Sequence, residues 1–224
     1  MAIVQYKNLT FEYKEEVLDI RFLDEINATD AKETLFKTKD IFDQCKMDFC
    51  LAYGTLLGAI REKDFIKGDL DVDIYVENEE ELFRNLPFLE SKGLRLIRAI
   101  PEEVYSFRLN KGCYIDVYIF RKLGFSFWGL YCYGLAETYA PKKYFKKKID
   151  IDFLGRTFKC PQNPEKLLEF WYGKTWRTPV SKSEVYYHCD DHFHHFWKFT
   201  FRPSVKKIII KIIGERMLNK LRNK

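Results

Sequence analysis

Two carboxylates that share one face of a predicted strand are the first candidate chemical groups in this sequence. Asp71 and Asp73 alternate with Val72 and Ile74, so a strand there turns both acids to one side. Two anions held that close repel each other unless a divalent cation neutralises them, and carboxylate oxygens favour Mg²⁺ or Mn²⁺ over zinc. The spacing therefore predicts a metal site with Asp71 and Asp73 as ligands. The alternative is a solvated acidic face on an edge strand.

A helix predicted to start at Gly54 and Thr55 precedes these acids. The apolar run that ends at Tyr53 is typical of a buried strand, and the residues from Thr55 to Arg61 follow with helical spacing. The first amides of a helix lack partners and its dipole is positive there, so a pyrophosphate is a natural ligand. We therefore predict that Gly54 and Thr55 at the helix start, together with the positive charge of Arg61, bind phosphate groups, although Gly-Thr turns are also common without a ligand.

A third carboxylate, Asp116, interrupts a β-branched and aromatic run from Cys113 to Phe120. This composition is typical of a buried strand, where an unpaired carboxylate is unfavourable. If that strand lies beside the strand of Asp73, Asp116 completes the metal site and accepts the proton of an attacking hydroxyl group. Asp71, Asp73 and Asp116 are therefore the predicted catalytic and metal-binding residues.

These motifs and several later ones resemble the signature of the LicD and fukutin-related family. The resemblance covers roughly residues 30 to 180. It rests on the segments 53–61, 65–66 and 69–74, on 115–117, and on the later segments 153–155, 160–161, 167–168 and 172–179. Chance agreement does not readily produce three separated motifs in the right order.

The resemblance implies a nucleotidyltransferase-type fold and a Mg²⁺-dependent enzyme. Such an enzyme would move phosphocholine, or ribitol or glycerol phosphate, from a CDP-alcohol onto a cell-surface glycan precursor. Two other functions stay open: a nucleotidyltransferase that places the nucleotide itself on its acceptor, and a non-catalytic glycan-binding relative. The sequence names neither the alcohol nor the acceptor.

The loop before the acids departs from the family pattern. Family members usually carry a Pro-Trp pair and a continuous acidic triplet, whereas this chain has Lys67-Gly68 and then Asp69-Leu70-Asp71. Lys67 is therefore a candidate contact for a substrate phosphate, or else a solvated loop charge.

Length and composition indicate one α+β domain. The chain has 224 residues, of which 46% are hydrophobic and 17% aromatic, enough to bury a core without disulfides or a structural metal. The predicted elements give a mixed β-sheet flanked by helices, with a C-terminal helical segment, and the resemblance implies that this sheet is nucleotidyltransferase-like. We assign residues 1–203 to the catalytic domain and 204–224 to a basic amphipathic tail.

Cap and turn residues mark the ends of several of these elements. Asp30 with Glu33 predicts a capped helix that runs towards Cys45, and Asn163-Pro164 predicts a helix that Gly173 ends. Strands are predicted at 94–100, 104–109 and 113–120, and a further helix near 79–86.

Positive charge is concentrated at the C-terminus. The net charge is +5, but segment 204–224 holds seven basic residues and one acid, so the remainder sums to about −1. A body without excess positive charge argues against a nucleic-acid groove, despite a local lysine cluster at 142–148. The tail also places apolar residues on one helical face. That pattern is typical of a helix on anionic lipid, or of one that packs on the domain or a second subunit.

The cysteines and the N-terminal residues favour a cytoplasmic location. The six cysteines are scattered, mostly in apolar runs, as expected for reduced core residues. We expect no secretory signal and no transmembrane span. A lipid-linked glycan acceptor would bring the protein to the inner face of the membrane, where residues 204–224 would make peripheral contact.

All four histidines lie between His188 and His195. His188 and His192 are four residues apart, so on a helix they could face one ligand. The alternative is an aromatic-rich helix with the histidines at its edge. The spacing matches no common structural zinc motif, and the functional interpretation is that His188 contacts the donor phosphate or the acceptor.

Overall fold

The structure is a computed structural model, and it describes residues 1–18, 25–109, 113–123, 132–134 and 140–180. Within these ranges the helices are α1 (Ala28–Gln44), α2 (Tyr53–Arg61), α3 (Glu79–Ser91) and α4 (Pro164–Tyr172). The strands are β1 (Ala2–Tyr6), β2 (Leu9–Tyr13), β3 (Cys50–Leu51), β4 (Val72–Val76), β5 (Leu94–Ile100), β6 (Val104–Leu109), β7 (Tyr114–Ile119), β8 (Arg121–Leu123), β9 (Cys132–Gly134), β10 (Ala140–Pro141), β11 (Lys148–Phe153) and β12 (Arg156–Pro161).

The largest sheet is mixed and has the strand order β11-β12-β3-β4-β7-β6-β5. Strand β12 runs parallel to β3 and β4 runs parallel to β7, whereas the other neighbours are antiparallel. Parallel neighbours need a crossover, and here the chain between β4 and β7 passes through α3, β5 and β6. This topology brings the strands of the candidate acids side by side in the middle of the sheet. Two smaller sheets pair β1 with β2 and join β8, β9 and β10.

An aromatic core lies on the side of the sheet where α2 and α4 pack. Helix α2 contacts both β4 and α4. The rings of Tyr75 and Phe120 stack with their centroids 4.2 Å apart, and Tyr53 meets Tyr118 edge to face at 4.8 Å. Phe120 and Trp171 are fully buried. Because large rings pack in few geometries, this core fixes the start of α2 relative to β4 and β7.

The predicted fold class is confirmed, because the described residues form a mixed sheet with helices packed on it. The predicted strands at 94–100 and 104–109 coincide with β5 and β6, and the helix predicted between Asn163 and Gly173 is α4. The predicted C-terminal helical segment lies outside the described residues, and the domain boundary at 203 stays a prediction. None of the helices within the described ranges has the length and hydrophobicity of a bilayer-spanning helix.

The start of α1 differs from the prediction. The N-cap is Asn27, whose side chain accepts hydrogen bonds from the backbone N–H groups of Thr29 and Asp30. Asp30 lies in the first turn and is not the cap. The side chain of asparagine, like that of aspartate, can accept hydrogen bonds from the unpaired N–H groups of the first turn. Asn27 and Asp30 were therefore both chemically suitable as N-caps.

The start of α2 also differs from the prediction. The helix begins at Tyr53 and not at Gly54, and Tyr53 itself has a positive φ of 34°. The sharp turn out of β3 is therefore made by a bulky residue that the aromatic core holds in place. This conformation costs an L-residue of the order of 1 kcal/mol, which the packing of Tyr53 offsets.

Candidate active site

Asp71 and Asp73 lie where the loop after α2 enters the sheet. Asp73 is the second residue of β4 and is only 5% exposed, whereas Asp71 is partly buried and lies one residue before the strand. The hydroxyl of Tyr114, in the neighbouring β7, donates a hydrogen bond to Asp71. The predicted pair of acids is therefore close together, but only Asp73 is part of the strand.

The N-terminus of α2 faces these carboxylates. The backbone N–H of Gly54 donates to Oδ2 of Asp73 at 2.9 Å. A Cβ atom built on Gly54 would lie 2.5 Å from Oδ2 of Asp69 and 3.0 Å from Oδ2 of Asp73. A side chain here would displace two carboxylates that approach the Cα of Gly54, and a helix N-terminus stabilises negative charge at that position.

Asp116 lies directly beside Asp73. The two are register partners in the parallel pair of β4 and β7, so their side chains leave the same face of the sheet. Oδ2 of Asp116 accepts a hydrogen bond from the guanidinium of Arg98 at 2.9 Å, and Oδ1 accepts one from the hydroxyl of Ser106. The Tyr118 hydroxyl lies 3.4 Å from Oδ2. Asp116 is only 3% exposed, and Arg98 supplies the positive charge that compensates this buried carboxylate.

The two adjacent acids differ in how their charge is compensated. Burial raises the pKa of Asp73 well above its usual range, and repulsion from Asp71, Asp69 and Asp116 raises it further, against the hydrogen bond from Gly54. Burial also raises the pKa of Asp116, but the charge of Arg98 and the hydrogen bonds from Ser106 and Arg98 oppose that rise. Ionisation is therefore more unfavourable at Asp73 than at Asp116 unless a cation is present.

Asp71 and Asp73 fit the chemistry of a Mg²⁺ site. They are hard oxygen donors close enough to repel each other when ionised, and Mg²⁺ is commonly held by one or two carboxylates together with substrate phosphates. Asp116 fits less well, since both of its oxygens already accept hydrogen bonds from Arg98 and Ser106. Within the part of the chain that the structure describes, no three acidic, histidine or cysteine side chains form a complete metal-binding group.

A protein-family comparison identifies the chain. The family model described as LicD/FKTN/FKRP, nucleotidyltransferase domain, matches residues 46–163, which is more than half of the 224 residues. The protein belongs to this family. The match includes β3, α2, β4 and β7, so it covers every element that carries the acids. The predicted family resemblance is confirmed, and family membership supports a transferase.

Three solved structures of low sequence identity are also similar to the chain. A crystal structure of the lincosamide antibiotic adenylyltransferase LnuA, bound to lincomycin, is 14% identical with a TM-score of 0.48, covering 72% of this chain and 93% of that one. A solution structure of the antibiotic-resistance factor ANT(2'')-Ia is 13% identical with a TM-score of 0.47, covering 88% and 96%. A crystal structure of ANT(2'')-Ia in complex with adenylyl-2''-tobramycin is 15% identical with a TM-score of 0.41, covering 85% and 94%. No curated protein matches the sequence at a significant level.

The side chain of Thr55, predicted to bind phosphate, contacts the main chain of Asp73 in this structure. Thr55 has no exposed surface, and its hydroxyl oxygen accepts a hydrogen bond of 2.8 Å from the backbone N–H of Asp73. The Gly-Thr motif of this LicD-family chain therefore positions an acid. Gly54 lies at the helix N-terminus as predicted, but its N–H binds the Asp73 carboxylate in this structure.

The predicted contact of Arg61 with donor phosphates stays a prediction, and the structure places its side chain at the far end of α2. Its guanidinium donates to the backbone carbonyl of Trp176 at 3.0 Å and pairs with Glu62 at 2.6 Å. Arg61 is the last of the nine residues of α2, so it lies about 12 Å along the helix from the acidic site. Its side chain instead links the end of α2 to the main chain at Trp176.

The two remaining predicted contacts are Lys67 and His188. Lys67 is exposed in the loop between α2 and β4, four residues before Asp71. Its predicted contact with a substrate phosphate stays a prediction. His188 and the other histidines lie outside the described residues.

The sequence interpretation missed Arg98, Ser106 and Asp69. Ser106 had a usable signal, because it is a polar residue within an otherwise apolar strand, as Asp116 is. Asp69 was noticed only as a departure from the family pattern, yet it lies close to Gly54 and raises the pKa of Asp73. Arg98 carries no local signal at all, since its partnership with Asp116 depends on strand pairing.

Proposed function

We propose that this LicD-family protein transfers a phospho-alcohol, phosphocholine or ribitol or glycerol phosphate, from a CDP-alcohol onto a cell-surface glycan precursor. The observation that carries the proposal is the buried Asp73 carboxylate, flanked by Asp71 and placed against the N-terminus of α2. A site with this much negative charge favours a divalent cation, and the helix N-terminus favours the phosphates of a donor. Family membership supports the transferase class.

Different residues of the chain would have different roles in such a reaction. Asp71 and Asp73 would hold Mg²⁺ or Mn²⁺, which when bound would neutralise the donor pyrophosphate. The acceptor hydroxyl oxygen would attack the phosphorus next to the alcohol, the bond to CMP would break, and Asp116 would accept the hydroxyl proton. Catalysis of this kind consists mostly of positioning and charge stabilisation. Lys67 is the candidate loop contact for donor phosphate.

Release of CMP tests this function directly. Purified protein is incubated with CDP-choline, CDP-ribitol or CDP-glycerol and a glycan-precursor acceptor, with Mg²⁺ or with EDTA. We expect Mg²⁺-dependent CMP release from one donor, loss of that release in Asp71→Asn, and normal release in Asp152→Asn. Asp152 is a matched control because it is an exposed aspartate on β11, at the far edge of the sheet. Undiminished turnover by Asp71→Asn contradicts the assignment.

The family description also favours a second function, direct nucleotidyl transfer. A donor labelled separately in its cytidine and its alcohol halves distinguishes the two. Phospho-alcohol transfer leaves the alcohol label on the acceptor, whereas nucleotidyl transfer leaves the cytidine label there. A protein that binds no nucleotide in the presence of Mg²⁺ would instead be a non-catalytic glycan-binding relative.

We also propose that the protein works in the cytoplasm, in peripheral contact with the membrane through residues 204–224. This tail lies outside the described residues, and the proposal rests on its seven basic residues and its apolar face. Sedimentation with anionic liposomes tests it by comparing the full chain with a chain that ends at Arg202. Equal sedimentation of the two would contradict the proposal.

A further inference from the structure

Four polar residues form a row across four adjacent strands. Asp73 of β4 is the register partner of Asp116 in β7, Asp116 is the partner of Ser106 in β6, and Ser106 is the partner of Arg98 in β5. Register partners share a face of the sheet, so these side chains form one continuous line. The row begins at a carboxylate, Asp73, and ends at a cation, Arg98.

Three members of this row form a closed network. Arg98 donates from Nε to the Ser106 hydroxyl at 2.9 Å and from a terminal nitrogen to Oδ2 of Asp116 at 2.9 Å. Ser106 in turn donates to Oδ1 of Asp116. A hydroxyl can accept one hydrogen bond while it donates another, and a guanidinium presents several donors in a fixed fork. The network therefore fixes the carboxylate plane of Asp116.

The three groups of this network differ in how deeply they are buried. The Asp116 side chain is 4% exposed and Ser106 is fully buried, whereas the Arg98 side chain is 33% exposed. A buried carboxylate without a partner is strongly unfavourable, while an arginine at the sheet edge retains part of its hydration. The contact therefore stabilises Asp116 as an anion more than it stabilises Arg98.

We propose that Arg98 is a positioning residue that holds Asp116 as an ion pair away from the divalent cation, so that metal binding depends on Asp71 and Asp73. The inference rests on the proposed function for the identity of the cation. It assigns Asp116 to the acceptor side of the reaction, where it would accept a proton, and removes it from the predicted set of metal ligands. Arg98 then acts through Asp116 and does not touch the reacting atoms.

Binding of Mn²⁺ alone tests the metal part of this inference by titration calorimetry or by the electron paramagnetic resonance of free Mn²⁺. We expect Asp71→Asn to weaken Mn²⁺ binding by about tenfold or more and Asp116→Asn to change it by less than about threefold. Arg98→Gln should tighten Mn²⁺ binding, because a cation is removed and Asp116 becomes able to turn towards the metal. If Asp116→Asn weakens binding as much as Asp71→Asn, or if Arg98→Gln does not tighten it, the inference is overturned.

A conservative variant separates positioning from a merely structural role. Arg98→Lys returns the positive charge but cannot donate to Ser106 and Asp116 together in the same fork. We expect its Mn²⁺ affinity to match that of the wild type, with kcat reduced and the KM for the donor unchanged. Wild-type kcat in Arg98→Lys would show that the fork does not position Asp116.

A stability cycle tests the ion pair without any metal. In EDTA, Arg98→Gln should lower Tm by about 5 °C or more, because it leaves a buried carboxylate uncompensated. Adding Asp116→Asn to Arg98→Gln should recover more than half of that loss. Additive effects of the two substitutions contradict the pairing. Failure of the wild type to bind Mn²⁺ would instead count against the metal of the proposed function, and this cycle would still decide whether Arg98 holds Asp116.

Discussion

The hydroxyl oxygen of Thr55 accepts a hydrogen bond of 2.8 Å from the backbone N–H of Asp73. The preceding residue, Gly54, donates its own N–H to the Asp73 carboxylate at 2.9 Å. Helix α2 therefore holds both the main chain and the side chain of Asp73. This relationship explains in physical terms why a Gly-Thr helix start and an Asp-x-Asp strand occur together in one sequence, since the first motif positions the second.

Thr55→Val should destabilise the protein and impair its activity. Valine keeps the shape but leaves the buried N–H of Asp73 without this acceptor, at a cost of about 1–3 kcal/mol. Thr55→Ser keeps the oxygen and loses one buried methyl group, at a cost of about 1 kcal/mol. Urea unfolding and Mg²⁺-dependent CMP release measure both effects. Valine and serine variants of equal activity would show that the hydrogen bond does not position Asp73.

Gly54→Ala should reduce activity with little loss of folding. The added Cβ would lie 2.5 Å from the Asp69 carboxylate, so that side chain must move and the Asp73 carboxylate is crowded. We expect CMP release to fall by about tenfold or more, because small displacements of catalytic groups have effects of that size. Thermal unfolding and circular dichroism should change little, since alanine is favourable within a helix.

Gly155→Ala is the matched control for that substitution. Gly155 has a φ of +86° with no atom within 4 Å of the added Cβ, so alanine there causes backbone strain but no collision. It should lower stability by about 1–2 kcal/mol and leave CMP release unchanged. The opposite result, with Gly155→Ala inactive and Gly54→Ala active, would contradict the assignment of the site to the start of α2.

Local features of the fold were predictable from the sequence because their signals lie within a few residues. Proline at the start of α4 and glycine after its end mark the limits of that helix. Alternating polar and apolar residues between turns mark β5 and β6. The same reasoning placed Asp73 on a strand and identified Asp116 as an acid in a buried strand. Both are buried and adjacent in the structure.

The charge partner of Asp116 was not predictable in this way. Arg98 and Asp116 lie in β5 and β7, which are joined only through β6, and the register of all three decides their contact. A β-bulge between Leu96 and Arg98 shifts that register by one residue and so changes which side chain faces Ser106. The contact of Arg61 with the carbonyl of Trp176 was not predictable for a related reason, because helical spacing locates a residue on a helix but does not say what the far end of that helix contacts.

Asp73→Asn should stabilise the metal-free protein while it abolishes turnover. Asparagine can still accept the hydrogen bond from Gly54 but carries no charge, and burial and neighbouring acids make that charge unfavourable. A gain of about 1 kcal/mol corresponds to a rise in Tm of about 2–4 °C for a protein of this size. Thermal unfolding in EDTA measures the gain. Addition of Mg²⁺ should then raise the Tm of the wild type and not that of Asp73→Asn, and equal responses would argue against Asp73 as a ligand.

Two buried thiols should react slowly in the native protein and faster as the pH rises. Burial raises the pKa of Cys50 to about 11 and that of Cys160 to about 12, and both side chains are fully buried. Only the thiolate reacts, so at pH 8 about one Cys50 in a thousand is reactive, and that fraction rises about tenfold per pH unit below the pKa.

Iodoacetamide labelling read out by peptide mass spectrometry should therefore show slow native labelling of both residues and rapid labelling in urea. Cys45, which is only partly buried, serves as the internal reference. Native labelling of Cys50 at the unfolded rate would contradict its burial in β3, the strand that leads directly into the start of α2.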